Sequence, residues 1–328
     1  MTLNHEQVRI VLGARSGVPI IVAIHSTERG KALGGCRLWH YPDWRDGLAD
    51  ALRLAEGMTA KNAAAGLQHG GGKTVVALPA GFVLDAQARR EVMLDVGDLI
   101  ESFDGSYATG PDVGTTPEDM AVIGERTGEV FCRPEAAGGS GDCSPYTAIG
   151  VLAAMRAVCG ELDGSTELRG RRVTVVGLGH VGTPLVRALH ADGAVLTVTD
   201  IDPARRALAA ALGATWVDID RAPTVPADIL VPAALGGLLT RELVPHLRCR
   251  GIVGPANNQL AEPEVARLLS ARGIIWATDH LASAGGVVYA VARELHGVDH
   301  QQALERVLSI EDTVRSQLRS VHTRGQVA

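Results

Sequence analysis

Two lysines stand twelve residues apart around a turn: Lys61 closes the run Met58-Thr59-Ala60-Lys61-Asn62, and Lys73 follows Gly70-Gly71-Gly72. Near one another, one lysine can hold a carboxylate as a cation while the other, partly neutral, serves as a general base. Three bare glycines leave the backbone beside them open to a ligand. Gly72-Lys73-Thr74 also matches the end of a phosphate-binding G-x-x-x-x-G-K-[ST] loop. Leu67 stands where that pattern needs its first glycine, and a strand rather than a helix is expected next, so the nucleotide-triphosphatase reading fails. Either lysine by itself is an ordinary solvated side chain. Asp112 precedes a helix that has Thr116 as N-cap and Pro117 at its first position. The positive helix end favours an ionised carboxylate, and an ionised Asp112 beside two lysines can accept a proton from an amine. Without the lysines, Asp112 reads as a turn residue bonded to its own backbone.

A second constellation is Gly177-Leu178-Gly179-His180-Val181-Gly182, placed between an apolar strand and a helix that runs to about Ala191. That is the setting a dinucleotide-binding turn requires: Gly177 for the tight turn, Gly179 for close approach of a pyrophosphate, and Gly182 for helix-on-strand packing. Asp200 ends the next strand, where its carboxylate can accept hydrogen bonds from the adenosine ribose. The same charge repels a 2′-phosphate, which favours NAD over NADP. Arg205 and Arg206, five residues on, are expected to face solvent on the following helix.

These residues need a scaffold of strands and helices. In the second half, β-branched runs (Arg172–Val176, Ala194–Thr199, Ile229–Val231, Gly251–Val253, Ile274–Ala277) alternate with alanine-rich helical segments, which implies α/β architecture with a doubly wound parallel sheet. In the first half, strands are expected at Ile20–Ile24 and Thr74–Leu78. A long helix is expected from about Asp43 to Ala65, with Leu48, Leu52, Ala55 and Met58 at helical spacing. The small-residue stretch Ala136–Gly141 marks the boundary between domains 1–140 and 141–328, and a helix beginning at Ser144 and Pro145 leads into the second.

Composition excludes several classes of function. The 328 residues carry a net charge of −6 and only 3% aromatics, so there is neither a basic surplus for a phosphate backbone nor a supply of stacking rings for nucleic acid. No apolar run reaches the ~18 residues of a membrane span. Five cysteines form no C-x-x-C pair, and the histidines are scattered, so neither a disulfide framework nor a metal site is expected. With no export-type pattern in Met1–Glu6, a reducing cytoplasm is the expected location.

Seven blocks in one order resemble the glutamate/leucine/phenylalanine/valine dehydrogenase family, most closely its branched-chain and aromatic amino-acid members. They are Ala32–Arg37, Met58–Asn62, Gly70–Lys73, Asp112–Thr116, Gly177–Gly182, Gly254–Gln259 and Ala284–Val287. The resemblance implies an N-terminal substrate and oligomerisation domain, a C-terminal Rossmann-type NAD domain with a cleft between them, and a homo-oligomer. It implies reversible NAD-linked oxidative deamination of an apolar L-amino acid to a 2-oxo acid and ammonia. Lys61 and the backbone at Gly34 and Gly35 would hold the substrate carboxylate, with Met58 nearby and Asn257 or Asn258 orienting it. Lys73 would activate the water that attacks the imine, and Asp112 would exchange protons with the amino group. Leu33, Gly110, Val287 and Ala290 would line an apolar side-chain pocket, Gly110 and Ala290 leaving room for a bulky group. Gly177, Gly179, His180, Val181, Gly182, Asp200, Ala234 and Asn257 would meet the cofactor. Gln68-His69, Pro111 and Ser283 depart from the family pattern, and His69 is expected to turn to solvent. The same residues also suit a non-catalytic NAD-binding subunit, or a member acting on an unusual amino acid.

Overall fold

The apolar run Ile20–Ile24 forms the middle of a strand covered on both faces, as a run without polar alternation requires. The computed structural model describes the backbone of residues 4–325 and the side chains of residues 4–320. Contacts divide the chain into two units: residues up to Cys143 with Ala290–His300, and Ser144–Tyr289 with the residues from Gln301 on.

In the first unit the order is β1 (Gln7–Leu12), β2 (Pro19–Ser26), β3 (Ala32–His40), α1 (Trp44–Ala64), β4 (Gly70–Leu78), α2 (Ala86–Glu101), β5 (Tyr107–Pro111) and α3 (Pro117–Ile123). The sheet runs β1-β2-β4-β3-β5, antiparallel at β1–β2 and β2–β4 and parallel at β3–β4 and β3–β5. Period-two alternation divides its side chains between two cores. Ile20, Val22, Ile24, Cys36, Val76, Leu78 and Tyr107 pack with residues of α2 and α3. Ile21, Ala23, Val75 and Ala77 pack with Ala51 and Ala55 of α1. Lys73 shares its parity with Val75 and Ala77, and therefore lies on the α1 face. Three strands, β1, β3 and β5, were not expected from local pattern; β3 carries Gly34-Gly35 at its centre, which breaks the β-branched signal.

The second unit contains α4 (Ser144–Asp163), β6 (Arg172–Val176), α5 (Gly182–Ala191), β7 (Val195–Thr199), α6 (Arg206–Ala211), β8 (Thr215–Trp216), β9 (Ile229–Pro232), β10 (Gly251–Ile252), α7 (Val265–Ala271), β11 (Ile275–Trp276), α8 (Asp279–Ala282), α9 (Gly285–Ala290), α10 (His300–Leu308) and α11 (Ile310–Gly325). Val291–Leu295 forms a π-helical turn between α9 and α10. The sheet is parallel throughout, in the order β11-β10-β9-β6-β7-β8, so the winding reverses between β6 and β9. This is the doubly wound Rossmann arrangement. All five expected strands are present, and only the two-residue β8 was too short to read. Helix α11 packs along α4 and α8, while Ala290–His300 clusters with the first unit.

Helix α1 carries Lys61 in its last turn and begins with a capping box, Asp43 accepting from the first turn while Asp46 reaches back to the Asp43 N–H. Replacing Asp43 by Ala is expected to cost about 1 kcal/mol of unfolding free energy. Urea unfolding measures it, and a change near zero would mean that packing alone sets the start of α1.

Candidate active site

Lys73 Nζ lies 2.9 Å from Asp112 Oδ2, with the lysine side chain 4% exposed and the aspartate 19%. The two come from opposite sides of β3, since β4 and β5 are its two neighbours. Register explains how they meet: Cys36 pairs with Thr74 on one side, and Gly35 and Cys36 pair with Gly110 and Pro111 on the other. Lys73 therefore has to reach across β3 at Gly35. A Cβ at position 35 would lie 2.8 Å from Asp112 Cβ and 3.1 Å from Lys73 Nζ, so only a bare position lets the pair form. Gly34 is equally constrained, because a side chain there would overlap the Gly72 carbonyl.

Arg37, also on β3, donates from Nε to Asp112 Oδ2 at 2.9 Å and from a guanidinium nitrogen to Asp50 Oδ2 at 3.1 Å. Asp50 is held in turn by Tyr41 and Arg53. Both cations thus converge on one oxygen of Asp112, and among the described residues none bonds Oδ1. Burial opposes ionisation of Asp112, but the Lys73 ammonium and then the Arg37 guanidinium outweigh it and hold the carboxyl down to about 2. The backbone is fixed too: Asp112 N–H donates to Thr115 Oγ1 at 2.9 Å, and that hydroxyl donates to the Cys36 carbonyl at 2.7 Å. The Asp112 carboxylate bonds to Lys73 and Arg37 rather than to its own backbone, whose turn is closed by Thr115.

Several expectations are corrected here. Gly70, Gly71 and Gly72 do not leave backbone open to a ligand. A side chain at 70 would strike the Ser26 carbonyl, one at 71 the backbone of Thr59 in α1, and one at 72 the Tyr107 ring at 2.7 Å. They are bare so that α1 and the neighbouring strands can lie close. The space beside Gly110 is filled by the Phe131 ring, so this glycine does not by itself make room for a bulky substrate. His69 is buried rather than turned to solvent; its Nδ1 lies 3.1 Å from the Lys31 carbonyl, its ring stacks on His296, and burial lowers its pKa.

Of the other first-unit residues, Leu33 and Ala290 are fully buried, while Lys61 and Met58 on α1 are half-buried. Arg37 was missed as a site residue because its role depends on strand pairing. Asn62, whose side chain donates to the Gly70 carbonyl at 2.6 Å, ties the end of α1 to the start of β4.

In the second unit, Gly177 follows β6 with φ of +113°, and a Cβ there would lie 2.7 Å from the Ala233 backbone beyond β9. A side chain at Gly182 would strike the Gly177 carbonyl, whereas the space over Gly179 is open. Gly177 and Gly182 are bare for packing and Gly179 leaves space open, at the point where the sheet winding reverses, and the turn fits a dinucleotide pyrophosphate. His180 and Ala234 are exposed, and Val181 is half-buried. Asp200 accepts from Leu178 N–H at 2.6 Å and from Asp202 N–H at 2.8 Å, one on each oxygen. Arg205 pairs with Asp202 at 3.6 Å and Arg206 lies over the Trp216 ring at 5.2 Å, and both arginines face solvent as expected, Arg206 exposed and the Arg205 side chain 42% exposed. Asn257 and Asn258 are exposed; Asn258 has φ of +52° and donates its N–H to Asp279 at 2.5 Å. Val287 is half-buried on α9. Among the described residues no group of three or more His, Cys, Asp and Glu side chains is placed to hold a metal ion, and no helix is long and apolar enough to cross a membrane.

The sequence pattern of the Glu/Leu/Phe/Val dehydrogenase dimerisation domain matches residues 6–129, and that of Glutamate/Leucine/Phenylalanine/Valine dehydrogenase matches residues 204–324. The chain belongs to the Glu/Leu/Phe/Val dehydrogenase family. It is 42% identical over 315 residues to the leucine dehydrogenase of Thermoactinomyces intermedius, covering 95% of this chain and 84% of the relative. It is 40% identical over 325 residues to the valine dehydrogenase of Streptomyces albus, covering 94% and 85%. The crystal structure of L-tryptophan dehydrogenase from Nostoc punctiforme superposes with a TM-score of 0.81 at 32% identity, covering 98% of this chain and 91% of that one. The protein is thus an amino-acid dehydrogenase, a pyridine-nucleotide-dependent oxidoreductase that acts on CH–NH2, within a group whose members work on apolar amino acids.

For this dehydrogenase, Gly35→Ala is expected to leave the fold intact by circular dichroism but to lower kcat/KM by about 100-fold, since a misplacement near 1 Å suffices for that. Retained activity would show that Lys73 need not cross β3. In Arg37→Met, the Asp112 carboxyl is expected to titrate at higher pH than its wild-type value of about 2. An unfolded aspartate titrates near 4, so the folded pair contributes stability above that pH and loses it as pH falls toward 2. In the variant the loss begins at the same unfolded-state value but is smaller and is complete at a higher pH. Carboxyl carbon shifts followed against pH read this directly, and an unmoved titration would assign the depression to Lys73 alone.

Proposed function

We propose that this family member is an NAD-linked enzyme that reversibly converts a branched-chain or aromatic L-amino acid to its 2-oxo acid and ammonia. The observation that carries the reading is the division of labour on Asp112: two cations on Oδ2, and Oδ1 left to receive a substrate amino group.

Gly177, Gly179, His180, Val181, Gly182, Ala234 and Asn257 would hold the dinucleotide, with helix α5 presenting its N-terminal N–H groups to the pyrophosphate. Each Asp200 oxygen accepts one backbone bond and retains a lone pair for a ribose hydroxyl. Its charge supports NAD over NADP. Bound there, the nicotinamide supplies the acceptor for the hydride leaving the substrate Cα.

The remaining work belongs to the protein's own side chains. Lys61, with the Gly34 and Gly35 backbone, fixes the substrate carboxylate. Asp112 anchors the amino group through Oδ1 and exchanges protons with it. Lys73 takes a proton from the water that adds to the imine carbon, and the adjacent carboxylate stabilises the charge that results. Leu33, beside Gly34 and Gly35 on β3, is apolar and offers no partner for a second carboxylate, which disfavours glutamate. We expect a homo-oligomer and a cytoplasmic location.

The reading is tested with a panel of L-amino acids and 2-oxo acids against NAD and NADP, scored by kcat/KM. Deamination is favoured at alkaline pH because the overall reaction releases a proton. Lys73→Ala is expected to lose about 100- to 10,000-fold in turnover while NAD binding survives. Unchanged turnover would remove Lys73 from the role of base, and a preference for glutamate or NADP would overturn the substrate or cofactor assignment.

A further inference from the structure

The loop that leads into α4 brings together two thiols that the dehydrogenation chemistry does not use. Cys132 sits just after Val130, which bridges to Thr109, and adopts φ of 59°, a left-handed conformation rare for a residue with a side chain. The loop closes on itself, Gly141 N–H donating to the Arg133 carbonyl at 2.9 Å. One buried carboxylate fastens both ends: Glu294 Oε1 accepts from Cys132 N–H at 2.7 Å, from Ser140 N–H at 2.9 Å and from the Ser140 hydroxyl. The result is that Cys132 Sγ and Cys143 Sγ lie 3.1 Å apart. A disulfide needs about 2.05 Å between sulfurs, so the pair is about 1 Å from bonding distance.

We propose that Cys132 and Cys143 form a reversible dithiol–disulfide site that reacts with low-molecular-weight disulfides. The two sulfurs are not equivalent. Cys143 is half-buried, whereas Cys132 is 4% exposed, so an incoming disulfide meets Cys143 first. The hydrogen bond between them acts in the same sense: with the proton on Cys132, it lowers the pKa of Cys143 against the effect of burial, and it raises that of Cys132, to which burial adds. The Cys143 thiolate attacks one sulfur of the small disulfide, forming a mixed disulfide and expelling one thiolate. Cys132, giving up its proton, then attacks Cys143 Sγ and expels the second. The protein loses two thiol hydrogens, which leave on two molecules of small thiol, and the small disulfide is the species reduced. The other cysteines are unsuited to this exchange. Cys36, Cys159 and Cys249 are buried, and burial pushes their thiols up, Cys36 to about 12 and Cys249 to about 11.

The test uses the full-length protein, reduced and then incubated with oxidised glutathione, followed by thiol titration under denaturing conditions and non-reducing peptide mapping. Two of the five thiols are expected to disappear, with a Cys132–Cys143 cross-linked peptide that dithiothreitol reverses. Cys132→Ser is expected to stop at a glutathione adduct on Cys143, and Cys143→Ser to give no adduct. If the Cys132 variant does not fold, the wild-type peptide map decides by itself. A stable adduct on wild-type Cys143, a cross-link to another cysteine, or five thiols surviving would each overturn the proposal.

Discussion

The first unit is built around the need to neutralise one buried ammonium. Lys73 projects from an inner strand with almost no access to water, and a charge in that position persists only with a counter-ion in contact. The carboxylate it meets lies beyond the neighbouring strand, so β3 must be bare where the lysine crosses it. Strand order, register and parity all follow: Lys73, Gly35 and Gly110 lie abreast in β4, β3 and β5, and Arg37 joins them from the same face. Removing one member of such a pair leaves the other charge buried, which typically costs about 3–5 kcal/mol. The arrangement is therefore a demand on the fold.

This explains which features were legible in the sequence and which were not. The glycine fingerprint and Asp200 are local, since turn, helix start and next strand lie within one βαβ unit, and their roles could be assigned from spacing. Lys61, Lys73 and Asp112 stood out by residue type. Arg37 did not, because its partners are 13 and 75 residues away and only strand register reveals them. The same limit applies to Gly70–Gly72 and Gly110, whose missing side chains answer to Ser26, Thr59, Tyr107 and Phe131 rather than to a ligand. His69 and the Cys132–Cys143 contact were hidden for the same reason, as their partners come from Ala290–His300 or from across a folded loop.

The two units bind negative charge by different physics. In the second, the glycine turn offers backbone N–H groups at a helix start, and the local carboxylate, Asp200, is tied to the Leu178 and Asp202 N–H groups. A dinucleotide can bind there with little reorganisation, because the donors are fixed by secondary structure. In the first unit, charge is handled by side-chain ions in a low-dielectric setting, where each interaction is strong and each unmatched charge costly. The cluster sets three cations, Lys73, Arg37 and Arg53, against the carboxylates of Asp112 and Asp50.

That balance also bears on how protons move. A carboxyl held at about 2 is ionised at any working pH and is a weak base while both cations remain charged. It is well suited to attract an ammonium group through Oδ1, but poorly suited to retain a proton taken from it. If Lys73 becomes neutral during the reaction, Asp112 loses the larger of its two stabilising charges and its proton affinity rises at that moment. On the proposed reading, the state in which Lys73 would accept a proton from water is also the state in which Asp112 would hold one from the amine. Arg37, which stays charged throughout, limits how far that affinity can rise and so favours prompt return of the proton.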